Sequence, residues 1–208
     1  MKKILLPNGL NVSEVALGAM MFGSTTSKKE SYEALDLYMD MGGNFIDTSN
    51  NYAHWAGTGD ESETLLGEWL RERGCRDRVI IATKVGFDRH GKGAGLKKEQ
   101  IEYWVDESLR KLGTDYIDLC LVHQPFGDYF GSYKALEDLY FEGKIKAIGI
   151  SNFYDYKMVD IASFARVKPA VNQVELHPFH QRIESKEWHD RYDVQMQAWA
   201  PLGQARVN

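Results

Sequence analysis

Four ionisable side chains stand where short apolar runs give out. Asp47 closes one run and Tyr52 follows it, Lys84 closes the next, and His123 closes a third. Together these residue types fit one chemistry, the donation of a proton to an oxygen. Free tyrosine has a pKa of about 10, too high for efficient donation near neutrality. A nearby lysine ammonium stabilises tyrosinate and lowers that value. At ~4 Å and an effective dielectric of ~20, one such charge is worth up to ~4 kcal/mol before desolvation is subtracted. The lysine would itself resist burial, and Asp47 is placed to be its counter-charge. His123 would hydrogen-bond a carbonyl oxygen and fix its direction. Tyr52 would release its proton as hydride reaches the carbonyl carbon, and because no side chain supplies hydride, a cofactor must. Singly, each residue has a plainer role: Asp47 before Thr48 as a turn or cap, Tyr52 beside Asn51 as a loop aromatic, Lys84 as a surface lysine, His123 as a core histidine. The set carries the inference.

The elements that must position them follow from the apolar pattern. Short runs at 15–20, 44–49, 79–86, 116–123, 146–151, 170–176 and 194–201 read as strands. Several are rich in Val and Ile and apolar in succession, as parallel strands buried on both faces are. Between them lie helical segments. One begins at Ser27 and Glu30, a capping box, runs through Tyr32, Leu35, Leu37 and Met41, and stops at Gly42-Gly43. Others are expected over 61–73, 97–112, 132–142, 154–165 and 183–191. Strict strand–helix alternation means parallel pairing with right-handed crossovers. No Gly-x-Gly-x-x-Gly opens a helix after the first strand, which favours a barrel over a doubly wound sheet. In a β/α barrel the active site lies at the carboxyl ends of the strands, where the four residues stand. The first fifteen residues read as a β-hairpin turning at Asn8-Gly9. An eight-stranded barrel usually needs about 250 residues, whereas this chain has 208. The expectation is a parallel (β/α) TIM barrel truncated after strand 7, one domain over 1–208, whose open edge invites self-association.

Net charge is −5, with no basic block, so nucleic acid and acidic membranes are poor partners. Cys75 and Cys120 form neither a disulfide framework nor a zinc spacing, and a reduced cytoplasm is the default compartment. The amino terminus is too short and polar for a signal peptide, and no stretch approaches a membrane span. Residues 86–92 nearly match a P-loop, but Gly93 stands where Ser or Thr would bind magnesium; 91–95 reads better as a flexible loop over the barrel mouth. His177 and His180, separated by Pro178-Phe179, lack further ligands, and no metal is expected. Aromatic and Met residues near the mouth, Met20, Met21, His54, Trp55, Phe87 and Phe126, suit a pocket for a small aldehyde or ketone.

Longer segments carry a resemblance. GNFIDTSNNY (43–52), IATK (81–84), SLRKLGTDYIDLCLVHQP (108–125), EGKIKAIGISNF (142–153), PAVNQVELHP (169–178) and AWAPLGQ (198–204) make the chain similar to the aldo-keto reductase family along its whole length. The resemblance implies NADPH-dependent reduction of a small carbonyl compound, or oxidation of the alcohol. It places the family's catalytic tetrad on Asp47, Tyr52, Lys84 and His123, with Tyr52 as general acid. It also implies that Ser151, Asn152 and Gln173 hold the nicotinamide carboxamide, that Trp199 stacks on the ring, and that Leu202, Gly203 and Gln204 lie along the pyrophosphate. Two features depart from the pattern. Ala200 stands where many relatives have Ser, and the basic segment that holds the 2′-phosphate has no counterpart, so NADH stays open beside NADPH. Two other readings remain: a catalytically weak or inactive fragment acting as a binding or partner protein, and a barrel enzyme using Lys84 as a Schiff-base amine. Asp47, by keeping that lysine protonated, argues against the second.

Overall fold

The computed structural model describes residues 1–87, 97–154 and 156–203. The loop expected over 91–95 and the cofactor contact expected at Gln204 lie outside the described residues. A hairpin of β1 (Lys3–Leu5) and β2 (Asn11–Ser13) comes first. Its turn is not a two-residue Asn8-Gly9 loop. The Gly9 N–H donates to the Leu6 carbonyl at 2.8 Å, so Pro7 and Asn8 take the central positions. Gly9 follows with φ +91°. Proline pre-sets the backbone at the first central position, and glycine alone takes that positive φ freely.

Seven strands then pair in sequence order, all parallel: β3 (Leu17–Gly18), β4 (Phe45–Asp47), β5 (Ile80–Val85), β6 (Leu119–Val122), β7 (Ile148–Ser151), β8 (Val171–Glu175) and β9 (Gln195–Trp199). The crossovers carry α1 (Lys28–Asp40), α2 (Glu61–Arg73), α3 (Lys98–Leu112), α4 (Tyr129–Phe141), α5 (Tyr156–Phe164) and α6 (Ile183–Tyr192). This is a curled β/α barrel wall. Among the described residues it does not close, because β3 and β9 each pair on one side only. No helix among them is long and apolar enough to cross a membrane.

Local chemistry sets the helix limits. Ser27 Oγ accepts from the Glu30 N–H, and Glu30 Oε2 accepts from the Ser27 N–H, which starts α1. Gly74 and Gly113, both left-handed, end α2 and α3. The buried face of α1 is Ser31, Tyr32, Leu35 and Tyr38, whereas Leu37 and Met41, which the sequence pattern grouped with Leu35, are exposed. The reason is angular: at about 100° per residue Tyr38 returns to the face of Leu35, and Leu37 falls on the opposite side.

Period-two alternation divides the central strands between two cores. Phe45, Ala82, Leu119, Leu121, Ala147 and Val171 point inward and pack with Leu6 and Val12 of the hairpin. The hairpin thus plugs the amino end of the barrel. Ile46 and Ile81 point outward under α1 and α2; Val85, Cys120, Val122, Ile148 and Ile150 do so under α3, α4 and α5. By the same parity Asp47, Lys84, Ser151 and Gln173 face inward, one layer above the apolar plug. The register aligns them, with Asp47 opposite Ala82, Lys84 opposite Leu121 and Ser151 opposite Gln173.

Gly67 makes the close approach of α2 to α3 feasible, since a Cβ there would collide with the Lys111 backbone carbonyl. Alanine is favoured over glycine inside a helix by up to ~1 kcal/mol, but a backbone carbonyl cannot rotate aside. Gly67→Ala is expected to destabilise the fold by ~1–3 kcal/mol net, read as a lower urea midpoint. An unchanged or higher midpoint would show that α2 and α3 are not held at this distance.

Candidate active site

Lys84, 1% exposed, is the centre of the site. Its Nζ lies 2.8 Å from both carboxylate oxygens of Asp47, 2.8 Å from the Thr48 carbonyl and 2.6 Å from the Tyr52 hydroxyl. The Tyr52 hydroxyl in turn donates to Asp47 Oδ2 at 3.1 Å. Gln173, 126 residues from Asp47 in the chain, donates its amide N–H to Asp47 Oδ1 at 2.8 Å. Strand order explains the assembly. Asp47 ends β4, Lys84 stands one residue from the end of the neighbouring β5, and the loop after β4 folds back to return Thr48 and Tyr52 to the ammonium.

His123 follows β6 directly. Its Nδ1 lies 3.2 Å from Ser49 Oγ, and its ring meets Tyr52 edge-on with centroids 6.2 Å apart. Phe87 lies 5.6 Å from the His123 ring, Phe126 lies 6.4 Å from Phe87, and His54 lies 6.3 Å from Phe87 and 5.2 Å from Trp55. Four of the residues expected in a substrate pocket therefore form a connected aromatic rim beside His123. Met21, the fifth, is half-buried, and its carbonyl accepts from the Ser24 hydroxyl.

The electrostatics differ from the simplest expectation. Burial, then the Asp47 carboxylate to which it donates, holds the Tyr52 phenol well above its ordinary pKa. Lys84 does not reverse this, because its charge is largely matched by Asp47. Burial pushes Lys84 below its ordinary value, with Asp47 opposing that shift. His123 is pushed down to about 3 by burial, then by the Lys84 ammonium and by His54. At neutral pH the phenol of Tyr52 thus keeps its proton and the imidazole of His123 is neutral.

The pattern described as "Aldo/keto reductase family" matches residues 14–207 of this chain. The chain belongs to the aldo/keto reductase family. An oxidoreductase of Bacillus subtilis (strain 168), YtbE, is 35% identical over 207 residues, covering 99% of this chain and 69% of that protein. Among solved structures, an aldo/keto reductase from Brucella melitensis superposes with a TM-score of 0.81 at 29% identity, over 97% of this chain and 73% of that one. A Bombyx mori aldo-keto reductase in complex with NADP superposes with a TM-score of 0.81 at 25% identity, over 96% of this chain and 66% of that one. The chain therefore spans about two thirds of the length of these relatives, which are oxidoreductases and aldo-keto reductases.

Within this aldo/keto reductase fold, the residues expected to hold a nicotinamide converge and bond mainly to one another. Ser151 Oγ donates to the Gln173 carbonyl at 3.1 Å. Asn152, in a left-handed conformation with φ 62°, gives its amide N–H to the His123 carbonyl and to Ser151 Oγ. Its Oδ1 accepts from Tyr154 and, at 2.9 Å, from the Trp199 indole N–H. Leu202 is exposed and Gly203 lies beside the Phe179 ring. Ala200, noted for its missing hydroxyl, has φ 50°.

Sequence reasoning missed a second polar cluster, behind β5. Glu63, fully buried, accepts from Thr83 Oγ1 at 2.6 Å and pairs with Lys111 at 3.2 Å; Lys111 also pairs with Asp60 at 2.7 Å. A signal existed: Glu63 occupies the same helical stripe as Leu66 and Leu70, a position otherwise apolar. Ser49 and Asn51 were missed too, and no sequence feature singles them out.

The low pKa of His123 has a consequence for stability. The unfolded chain binds this proton below its ordinary 6.5, whereas the folded chain does not until about 3. Between those values the unfolded state holds more protons, so stability falls as pH drops and is flat above. His189, also pushed down by burial, acts in the same direction. Urea midpoints measured between pH 7 and pH 4 should decline, and His123→Asn should make the decline shallower. An identical slope in the two proteins would show that His123 is not held neutral.

Proposed function

We propose that residues 1–208 form one β/α domain that reduces the carbonyl of a small aldehyde or ketone with NADPH, Tyr52 being the general acid. The observation that carries this reading is the 2.6 Å contact between Lys84 Nζ and the Tyr52 hydroxyl, within a cluster that also bonds both to Asp47. The bound nicotinamide would supply hydride to the carbonyl carbon. The chain's own residues manage the oxygen. Tyr52 turns its proton from Asp47 Oδ2 to that oxygen, and the tyrosinate left behind is stabilised at once by the adjacent ammonium. Asp47 keeps that ammonium charged in a site where a lone lysine would lose its proton. His123, neutral, orients the oxygen-bearing group, and the aromatic rim of His54, Trp55, Phe87 and Phe126 admits a small, largely apolar body.

The residues present suit a carboxamide. Gln173 is held by Asp47 through its amide nitrogen, which turns its amide oxygen to the task of accepting from a carboxamide N–H. Asn152 and Ser151 would exchange internal bonds for bonds to the same group, and Trp199 would cover the ring. The NADP complex of the Bombyx mori relative supports NADPH as the cofactor.

Tyr52→Phe should lower kcat by ~10²–10⁴-fold with NADPH affinity nearly intact, measured by oxidation of NADPH with a simple aldehyde. Full activity in that variant would end the acid assignment.

One observation favours a second reading, in which the chain is a weakly active or inactive binding protein. Asn152 is saturated by internal partners, and β9, which carries Trp199, is unpaired on its outer side among the described residues. NADPH titrated against tryptophan fluorescence separates the two. Quenching that Trp199→Phe removes supports the reductase. No quenching at millimolar NADPH, with the chain shown folded, favours the binding protein.

A further inference from the structure

His189 stands on α6, outside the barrel wall, 1% exposed, and takes no part in the chemistry proposed above. Its Nδ1 lies 2.6 Å from the Ser185 carbonyl, and its Nε2 lies 2.9 Å from the Asn172 amide nitrogen. That same nitrogen donates to the Phe153 carbonyl at 2.7 Å. The proton positions follow from what each group can do. Carbonyl oxygens only accept, so Ser185 requires a proton on Nδ1, and Phe153 requires the NH₂ end of Asn172. That end only donates, so Nε2 must be bare to receive from it. Turned end for end, the amide would set its oxygen against the Phe153 oxygen. Asn172 Oδ1 is buried and has no partner among the described residues, so the amide is held by its nitrogen alone. The arrangement admits His189 in one state, neutral with Nδ1–H.

The relay ends at the turn that carries Ser151 and Asn152. Phe153, fully buried, follows Asn152, whose φ of 62° is left-handed. Asn172, opposite in parity to inward-facing Gln173, pins this turn from behind. On the inner side Asn152 Oδ1 accepts from the Trp199 indole N–H. We propose that His189 is a positioning residue for the cofactor: through Asn172 it holds the 151–153 turn in the shape that presents Ser151 and Asn152 to a nicotinamide, and it does so only while uncharged. The cofactor half rests on the reductase reading given above; the coupling of His189 to the turn does not. A second proton on the ring would point Nε2–H at the Asn172 NH₂ group. The amide would then give up the imidazole, or invert and give up Phe153. The charged groups that act on the ring are Asp190 and Lys186 of its own helix, in opposite directions, and they pair with each other at 2.6 Å. Among the described residues no charged group of α5, β8 or β9 acts on it.

The coupling is read in the chain without cofactor, from ¹⁵N–¹H spectra. The Trp199 indole N–H, assigned by its loss in Trp199→Phe, reports on the Asn152 side chain. His189 is assigned by its loss in His189→Gln. As pH falls below the ordinary histidine value of 6.5, the two signals should move with one midpoint. In His189→Gln, whose amide oxygen accepts from Asn172 but takes no proton, the indole should stay still. An indole that moves alike in both proteins, or a His189 that titrates without moving it, overturns the coupling. A His189 that keeps one state down to acid unfolding overturns the pH dependence, and the affinities of the variants then decide the positioning role.

The cofactor half is read from NADPH affinity by fluorescence titration. Between about pH 7.5 and about pH 5 the parent should lose about fivefold more affinity than His189→Gln, the worth of one hydrogen bond. Protonation of the 2′-phosphate is common to both proteins and cancels. His189→Leu, which offers Asn172 no acceptor, should bind NADPH about fivefold more weakly than the parent near neutrality, and His189→Gln should restore the affinity. Equal pH dependence in the parent and His189→Gln, or parent affinity in a folded His189→Leu, overturns the cofactor half. Should His189→Leu fail to fold, the parent and His189→Gln decide alone. If no variant binds NADPH at millimolar concentration while the indole still follows His189, the reductase reading fails and the coupling of His189 to the turn stands.

Discussion

Burying an ammonium costs several kcal/mol unless it is paired and its donors are all satisfied. Lys84, 1% exposed, meets that condition with a carboxylate, a backbone carbonyl and a phenol. Much of the local architecture follows from the requirement. The β4–β5 register sets the carboxylate of Asp47 within reach of the amine. Two residues of the following loop, Thr48 and Tyr52, then return to complete the shell. The phenol is therefore placed next to a positive charge by the same contacts that make the charge tolerable in the barrel. The geometry proposed for catalysis and the demands of a buried cation coincide here.

The support around this centre is uneven. On the far side of β5, Thr83 bonds to Glu63, which pairs with Lys111, so two charged clusters stand back to back across one strand. The negative charge of Glu63 also helps to keep Lys84 protonated. The acid-base residues sit on β4, β5 and the end of β6, whose strands are almost wholly buried. The residues assigned to the cofactor sit on β7, β8 and β9, and β9 is half-exposed along most of its length. The cluster proposed to move the proton is held by a packed wall, and the groups proposed to hold the nucleotide approach an edge. Gln173 joins the two halves, because its side chain spans from β8 to Asp47.

What was legible in the sequence follows from periodicity. Parallel strands buried on both faces announce themselves as apolar runs, and a polar residue at the carboxyl end of such a run stands out; this is how Asp47, Lys84 and His123 could be found. Contacts made across the barrel could not be read. Gln173 reaches Asp47 only because the sheet curls, and no spacing encodes that closeness. Ser49 is hidden differently, since a serine after Asp-Thr has an ordinary turn composition and its neighbours are fixed only in three dimensions. The hairpin misled because Asn-Gly is a strong turn signal, but the preceding Pro7 already fixes a turn one residue earlier. The phenol pKa was anticipated with the opposite sign, because a nearby cation was weighed without the carboxylate that neutralises it.

That last difference changes how the acid is understood. A tyrosine made acidic at rest would lose its proton to solvent at moderately high pH and stand idle. Here burial and Asp47 keep the proton on the phenol, and the ammonium matters only when the proton leaves. In the proposed reaction the phenol gives its hydrogen bond to Asp47 before transfer and to substrate during it, an exchange of one bond for another that costs little net. After transfer, the new tyrosinate lies beside a cation already desolvated and oriented, with no reorganisation required. The stabilisation is thus selective for the charge that develops, which is the condition for lowering a barrier instead of merely binding a ground state. On the alkaline side the vulnerable group is the lysine, pushed down by burial, and the phenol depends on its partner keeping its charge.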